Sequence, residues 1–373
     1  MVYRILSLDG GGIRGTISAQ ILSELEGAVR AETGQALHEY FQLIAGTSTG
    51  SILAAGLAIG KSGTELVDLY RQNGRRIFPY WGLGGLFSPR RLSLLVQSGL
   101  SAPKFSHDGL RTVLQEQYGD RRLAEVTPSG SNQPKLLITA YDTVTRYPLM
   151  FKSWRHAEWY ASIYLWEASL CSSSAPTYFP AYQLVAGDRQ CSAIDGGVGA
   201  NNPTACAIAE AVRLGHSLAD LRVFSIGTGQ TFQSYPYREV KHWGAAQWGK
   251  RIVDVLMDAP QKIDAYVAQK IMASTPLGDR AYARLHPPLK TAYLTQHLAQ
   301  APELRQHLQS QFGSQPIAIE GAIDNASANN IAALAALGAV YYRHGQFQSQ
   351  FNDDQPPLSV RDKVSDFLAV SAE

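Results

Sequence analysis

The sequence has little cysteine, almost no net charge and no long apolar run. Its cysteines are Cys171, Cys191 and Cys206, which lack a CxxC spacing and are too few for a disulfide framework. This usage indicates a reducing compartment in which the thiols are structural. Lysine and arginine number 33 against 31 for aspartate and glutamate, so the formal charge of +2 gives no electrostatic reason to expect nucleic acid as a partner.

Targeting and membrane-spanning patterns are also missing. The amino terminus, MVYRILSLDGGG, has no basic stretch followed by an apolar run of signal-peptide length. No apolar run approaches the roughly 18 residues that span a bilayer. We therefore expect a cytoplasmic protein that meets lipid from the water side, as a peripheral contact.

Metal-binding patterns are absent as well. The chain has no HExxH, no EF-hand loop and no cluster of cysteine and histidine, so we expect no metal and no cofactor. Its 9 histidines are scattered without pairing, and a lone histidine is more often structural than catalytic.

What the sequence does contain is an alternation of apolar strands and amphipathic helices. This alternation predicts a mostly parallel sheet covered by helices on both faces. After about residue 245 the apolar residues recur at helical spacing, so we expect a core over residues 1–245 and a mostly helical extension over 246–373 packed on the same domain. The predicted strands cover residues 3–8, 41–46, 135–142, 191–195 and 222–229.

The stretch GTSTG, residues 46–50, matches the Gly-x-Ser-x-Gly pattern between an apolar strand and an apolar helix. A sharp strand-to-helix turn exposes the serine hydroxyl, and the flanking Gly46 and Gly50 permit close approach of neighbouring backbone. Ser48 is therefore a candidate nucleophile. A tight turn of small residues without chemistry is the alternative interpretation.

A run of three glycines, Gly10, Gly11 and Gly12, lies in DGGGIRG between the first strand and the first helix. Glycine costs stability where its conformational freedom is not needed, so this run indicates a use for bare backbone. Backbone N–H groups at a helix amino terminus stabilise an oxyanion, and Arg14 either holds the loop or attracts an anionic head group. A phosphate-binding loop is the alternative, although GxGxxG is met only if Gly11 is ignored and a GK[ST] ending is absent.

A third element, IDGGVGANNP, follows the predicted strand at residues 191–195. Its Asp195 is expected at the carboxyl end of a strand, where α/β sheets bind their ligands. An aspartate that merely caps the turn is the alternative interpretation.

In their order along the chain, DGGGIRG, GTSTG and DGG resemble the patatin-like phospholipase family, over roughly residues 2–229 and including SSSAPTYFPAY at 172–182. The resemblance implies a three-layer α/β/α sandwich with a catalytic core over 1–245. It also implies a Ser–Asp dyad, with Ser48 as nucleophile, Asp195 as general base and Gly10–Gly12 with Arg14 as the oxyanion loop. The activity implied is metal-independent hydrolysis of fatty-acyl esters of phospholipids or galactolipids.

Other interpretations stay open at this point. One is an α/β-hydrolase with a Ser–Asp–His triad, whose histidine comes from the six that follow Asp195. The others are an acyltransferase and a phosphate-loop binding module without hydrolysis. The stretch 78–89 is rich in aromatic residues and glycine and contains Phe78 and Trp81. It either lines an acyl-chain channel, touches a membrane or is ordinary core.

Overall fold

The computed structural model describes residues 2–79, 102–232, 234–313, 317–347, 351 and 357–370. Within these ranges the chain forms an 8-stranded sheet and a separate 2-stranded one. The strands are β1 (Tyr3–Leu8), β2 (Leu43–Thr47), β3 (Lys135–Asp142), β4 (Tyr147–Lys152), β5 (Tyr182–Ala186), β6 (Arg189–Asp195), β7 (Leu221–Ile226), β8 (Tyr282–Leu285), β9 (Gln346–Phe347) and β10 (Leu358–Ser359).

Helices surround the large sheet. Those within the described ranges are α1 (Gly15–Thr33), α2 (Leu37–Tyr40), α3 (Thr49–Ala58), α4 (Gly63–Ile77), α5 (Asp108–Tyr118), α6 (Leu165–Ser172), α7 (Gly197–Ala200), α8 (Thr204–Arg213), α9 (Tyr237–Val240), α10 (Ala245–Ala273), α11 (Thr291–Leu298), α12 (Pro302–Phe312), α13 (Ala328–His344) and α14 (Val360–Val370). None of these helices is long and apolar enough to cross a membrane.

The sheet is mixed and mostly parallel. Its order is β5-β6-β3-β2-β1-β7-β8, with β4 paired to β3. The central strands β3, β2, β1, β7 and β8 are parallel neighbours, whereas β4 and β6 run antiparallel to β3 and β5 runs antiparallel to β6. The expected three-layer architecture is confirmed, with an antiparallel margin that the sequence pattern did not indicate.

Side chains of β1 alternate between two buried layers, as the two-residue period of a strand requires. Leu6 and Leu8 join the larger hydrophobic cluster, which includes α1, α3 and α13. Tyr3 and Ile5 join a second cluster on the other face, formed with α8 and the end of α10. Because both faces are buried, the strands of the sheet's centre are mostly apolar, and β1 and β7 each also contain an arginine and a serine.

Two strand ends meet on β3. Thr139 of β3 pairs with Thr47, the last residue of β2. The next residue, Ala140, pairs with Asp195, the last residue of the antiparallel strand β6. The turn that follows β2 and the carboxyl end of β6 are therefore brought together.

The region after residue 245 contributes to the sheet as well as to its cover. Strand β8 pairs with β7 in parallel and forms one edge of the sheet. Helix α13 packs against α1. The division into a core over 1–245 and an extension over 246–373 stays a prediction. Among its described residues the extension contains mostly helices, together with β8 and the small β9–β10 pair.

Candidate active site

Ser48 occupies the turn between β2 and α3. Its backbone angles are φ 54° and ψ −126°, a conformation that a residue with a side chain rarely adopts and that costs about 1–3 kcal/mol. A Cβ on Gly46 would lie 2.2 Å from the carbonyl oxygen of Gly50, and one on Gly50 would lie 2.1 Å from that of Leu8. The two flanking glycines are thus required by the backbone of a strained turn that holds the serine at the end of the sheet.

Asp195 meets the Ser48 hydroxyl directly. Ser48 Oγ donates to Asp195 Oδ2 at 2.6 Å, and the Gly197 N–H donates to Asp195 Oδ1 at 2.7 Å. The Asp195 side chain is fully buried. Burial raises the pKa of Asp195 to about 7, against the opposing effect of these two hydrogen bonds. A carboxyl group with this pKa can accept and return a proton at neutral pH.

The glycine loop lies beside this pair. The Gly10 N–H donates to the carbonyl oxygen of Asn201 at 2.9 Å, and Thr228 Oγ1 donates to the carbonyl oxygen of Gly10 at 2.8 Å. Gly11 and Gly12 line the same cavity as Ser48, and no hydrogen bond among the described residues uses their N–H groups. The Gly10 N–H is therefore occupied by Asn201, whereas the N–H groups of Gly11 and Gly12 have no partner among the described residues.

Each glycine of this loop faces an atom that excludes a side chain. A Cβ would lie 2.1 Å from Asn201 Oδ1 at Gly10, 2.2 Å from Thr228 Oγ1 at Gly11 and 2.2 Å from the Ile323 carbonyl oxygen at Gly12. Gly12 also has a φ of +59°, which favours glycine. Close packing, and not only access to N–H groups, accounts for the three consecutive glycines.

Arg14 lies at the rim of the loop. Its Nε donates to the carbonyl oxygen of Gly11 at 3.4 Å, its side chain is half-buried, and it lines the cavity. This contact fits the role of holding the loop, one of the two alternatives that the sequence left open.

A buried ion pair supports the loop from below. Arg284 Nη2 lies 2.6 Å from Asp9 Oδ2, and Gln261 Nε2 donates to the same oxygen at 2.7 Å. Asp9 is fully buried and directly precedes Gly10. Arg284 belongs to β8 and Gln261 to α10, so the region after residue 245 fixes the start of the glycine loop.

Several of these supporting residues were missed by sequence reasoning. Asn201 lies within the stretch IDGGVGANNP, and its position just after the DGG turn is the available sequence signal. Ser172, whose Oγ accepts from the Ser48 N–H at 2.8 Å, lies within SSSAPTYFPAY, and its residue type alone indicates no role. Arg284 carries no local signal, because its partner Asp9 lies 275 residues away in the chain.

The Ser48–Asp195 pair opens into a cavity of about 590 Å³ with a largely apolar wall. Phe78, expected to bind substrate, lies in this wall at 7% exposure, with its ring centroid 5.6 Å from that of Phe105 and 5.9 Å from that of Phe179. Trp81, the other expected substrate residue, lies outside the described residues. Further apolar side chains of the wall are Ile52, Ile77, Leu110, Tyr178, Phe179, Phe232, Val255, Met257, Leu289 and Ile323.

All histidines of the chain fall within the described ranges, and none of them lines this cavity. His107 approaches the region through Ser174, with Nε2 3.0 Å from Ser174 Oγ, and burial lowers its pKa to about 4. It is therefore a neutral packing residue. In the same described ranges, no three His, Cys, Asp or Glu side chains come together as a metal site.

Comparison with known proteins shows the family of this chain. The sequence profile described as "Patatin-like phospholipase" matches residues 6–208, more than half of the chain. The chain belongs to the patatin-like phospholipase family. The matched region ends beyond Asp195 and includes the glycine loop and the Ser48 turn.

Relatives of this patatin-like chain occur in bacteria and plants. It is 31% identical over 275 residues to the cGAMP-activated phospholipase of Vibrio cholerae, covering 70% of this chain and 75% of that protein. It is 29% identical over 277 residues to Patatin-like protein 2 of Oryza sativa subsp. indica, covering 65% of each chain, so it spans less than two thirds of that relative. Among solved structures, human GIVD cytosolic phospholipase A2 is similar at a TM-score of 0.49 and 12% identity, covering 90% of this chain and 58% of that one.

Proposed function

We propose that this chain is a lipid acyl hydrolase that cleaves fatty-acyl esters of phospholipids or galactolipids through an acyl-enzyme on Ser48, with Asp195 as general base. The observation that carries the proposal is the 2.6 Å hydrogen bond from Ser48 Oγ to a buried carboxylate inside an apolar cavity. A turn that merely caps a strand has no need of a strained serine on a carboxylate whose pKa is raised to about 7.

In the first half-reaction, Asp195 Oδ2 takes the proton of Ser48 Oγ as Oγ attacks the ester carbonyl carbon. The carbonyl oxygen becomes an oxyanion, which accepts hydrogen bonds from the N–H groups of Gly11 and Gly12. Collapse of this intermediate breaks the bond to the alcohol. Asp195 returns its proton to that alkoxide, and the fatty acyl group remains esterified to Ser48.

In the second half-reaction, water replaces the alcohol. Asp195 accepts a proton from the water as its oxygen attacks the acyl carbon, and the same two N–H groups receive the oxyanion. The proton then returns to Ser48 Oγ as the fatty acid leaves. Transfer to another alcohol instead of water uses the same residues, so a product analysis decides between hydrolase and acyltransferase.

Family membership and the cavity support a lipid substrate. The wall around Ser48 is rich in aromatic and aliphatic side chains, which suit an acyl chain. Because two bacterial relatives are named cGAMP-activated phospholipases, assays need an arm with this ligand.

The purified chain is expected to release fatty acid from phosphatidylcholine and galactolipid vesicles in the presence of a calcium chelator. It is also expected to react with a fluorophosphonate probe at Ser48. Ser48→Ala should lose both reactions while keeping its fold, since one hydroxyl at a turn contributes little packing. Fatty acid and acylated products are identified by mass spectrometry, with and without cGAMP.

Peptide mapping of the labelled protein locates the modified residue. Labelling at another serine, or hydrolysis retained in Ser48→Ala, would move the nucleophile elsewhere. If neither ester cleavage nor labelling occurred with or without cGAMP, the hydrolase proposal would fail. Activity that a chelator abolishes and calcium restores would contradict the metal-independent mechanism.

A further inference from the structure

Helix α10 presents an apolar face to solvent. Its buried side is formed by Gln261, Ala265 and Ala268. On the opposite side the side chains recur at intervals of three, four and seven residues, which places them on one face of a helix. This outer face of α10 consists of Trp248 (36% exposed), Ile252 (38%), Leu256 (49%), Ile263 (61%), Tyr266 (49%) and Val267 (36%).

An aromatic segment leads into this face. Phe232 is 50% exposed and Tyr237 is 77% exposed, in the chain just before α10. The ring centroid of Trp243 lies 5.2 Å from that of Tyr235 and 5.2 Å from that of Trp248. The aromatic segment (residues 231, 232 and 234–243) and the outer face of α10 are therefore connected through side-chain contacts.

Cationic groups lie over these aromatic rings. Lys290 Nζ is 3.7 Å from the centre of the Phe232 ring, and the Arg251 guanidinium is 5.5 Å from that of Tyr235. Lys241 Nζ lies 5.9 Å from the Tyr237 ring, and Arg238 is exposed beside it. Together these side chains give the surface its positive charge.

Acidic groups do not offset this charge. Asp258 is paired with Lys262 at 2.6 Å, and Glu239 is exposed next to Arg238. Among the described side chains of this surface, cations therefore outnumber anions. Exposed tryptophan and tyrosine next to lysine and arginine is the composition of a surface that inserts into the headgroup region of an anionic bilayer.

The surface also borders the candidate active site. Phe232 and Tyr235 of the aromatic segment line the cavity that contains Ser48, whereas α10 lines it through residues outside the outer face, among them Met257 and Gln261. A second copy of the chain docked on this surface would cover the aromatic segment beside the cavity. A lipid bilayer docked there would instead supply substrate to it.

We propose that the outer face of α10 and the aromatic segment form a membrane-docking surface for anionic lipid bilayers. Docking on this surface brings the aromatic segment, which lines the cavity, to the headgroup layer. A lipid then moves from the bilayer to Ser48 without exposing its acyl chain to water. This inference rests on the proposed lipid hydrolase function for its purpose, although docking itself is measured without catalysis.

The test compares Leu256→Glu and Ile263→Glu with the parent chain, all in a Ser48→Ala background that leaves the lipid intact. Glutamate is a good helix former, and both positions are exposed, so the helix should persist. Flotation with vesicles of phosphatidylcholine and phosphatidylglycerol at 7:3 should show binding of the parent. Each variant should bind at least tenfold less. Val185→Glu, at a 58% exposed position on edge strand β5, is the matched control and should bind as the parent does.

A second measurement uses the same substitutions with Ser48 intact. Hydrolysis of the vesicle lipid should fall at least tenfold in Leu256→Glu and Ile263→Glu, whereas hydrolysis of soluble p-nitrophenyl butyrate should stay within about threefold. If the parent fails to float with the vesicles, or the variants float as well as Val185→Glu, the docking surface is wrong. Light scattering that shows a dimer converted to a monomer by these variants would identify the face as a self-association surface. Failure of the hydrolase proposal would instead appear as no ester cleavage while vesicle binding is retained.

Discussion

At the scale of single residues, the proposed reaction depends most on the carboxylate of Asp195. Its carboxylate both touches the Ser48 hydroxyl and lies fully buried. Asp195→Asn should be as inactive as Ser48→Ala, because an amide cannot accept the serine proton.

In the parent enzyme, kcat should rise with pH through about 7, since burial raises the pKa of Asp195 to that value and only the ionised form is a base. Steady-state rates across pH 5–9 check this.

The matched controls for Asp195→Asn are the histidines that follow it in the chain. Single replacements by glutamine should leave kcat within about tenfold, a barrier change under roughly 1.4 kcal/mol. The reason is that every histidine of the chain lies in the part that the structure describes, and none of them lines the cavity. A folded histidine variant as inactive as Ser48→Ala would restore the Ser–Asp–His triad. The six positions are His216, His242, His286, His297, His307 and His344.

Asp195→Asn should also show how much the buried carboxylate of Asp195 lowers the free energy of unfolding. Burial raises the pKa of Asp195 from its ordinary 3.8 to about 7 in the folded chain, so the folded state binds the proton more tightly. Stability from this group is therefore complete below about pH 4 and is lost as pH rises through 7. The free energy of unfolding, measured by denaturation at pH 4 and pH 8, is the test. Relative to the parent, Asp195→Asn should be more stable at pH 8 than at pH 4 by on the order of 2–4 kcal/mol. An unchanged difference would mean that the buried carboxyl has an ordinary pKa.

At the scale of elements, the proposed oxyanion role of the glycine loop depends on how closely the loop is packed. A Cβ on Gly11 would lie 2.2 Å from Thr228 Oγ1, the group that donates to the carbonyl oxygen of Gly10. Gly11→Ala should therefore displace the N–H donors and lower kcat by about 10²–10³, the usual loss for one oxyanion donor. KM should change little, because the lost interaction forms only in the transition state.

Gly27→Ala is the control for this substitution. Gly27 lies in α1, and a Cβ there would meet no atom within 4 Å. Alanine should leave kcat unchanged and stabilise the fold by about 0.5–1 kcal/mol, because glycine is unfavourable inside a helix. If Gly11→Ala folds and keeps a kcat close to that of the parent, the glycine loop does not stabilise the oxyanion.

At the scale of the whole molecule, local patterns predicted the centre of the sheet and missed its margins. Strands β1 and β3 have the predicted bounds, because both are runs that are buried on the two faces. Strands β4 and β5 are partly exposed and lack a continuous apolar run, and their pairing is antiparallel. Short β8 could not be found, since its 4 residues have no distinctive pattern.

The candidate site divides in the same way. Ser48, Asp195 and the glycines were predicted because each lies in a short motif whose chemistry depends on neighbouring residues. The contacts of Asn201 with Gly10 and of Arg284 with Asp9 join distant parts of the chain. Such pairs depend on which strand ends meet in three dimensions, and a local sequence pattern holds no information about that arrangement.

These long-range contacts lead to a prediction about the division at residue 245. A chain of residues 1–245 would lack β8, which covers the edge of β7, and α13, which packs on α1. It would also leave Asp9 without Arg284 and Gln261, and loss of one partner of a buried ion pair costs about 3–5 kcal/mol. A typical domain has only about 5–15 kcal/mol of stability in total, so this shorter chain should not fold. We expect it to show no cooperative unfolding by circular dichroism and no fluorophosphonate labelling at Ser48, whereas a chain of residues 1–370 should show both. A chain of residues 1–245 that unfolds cooperatively and is labelled would establish it as an autonomous catalytic core and limit the later residues to covering it.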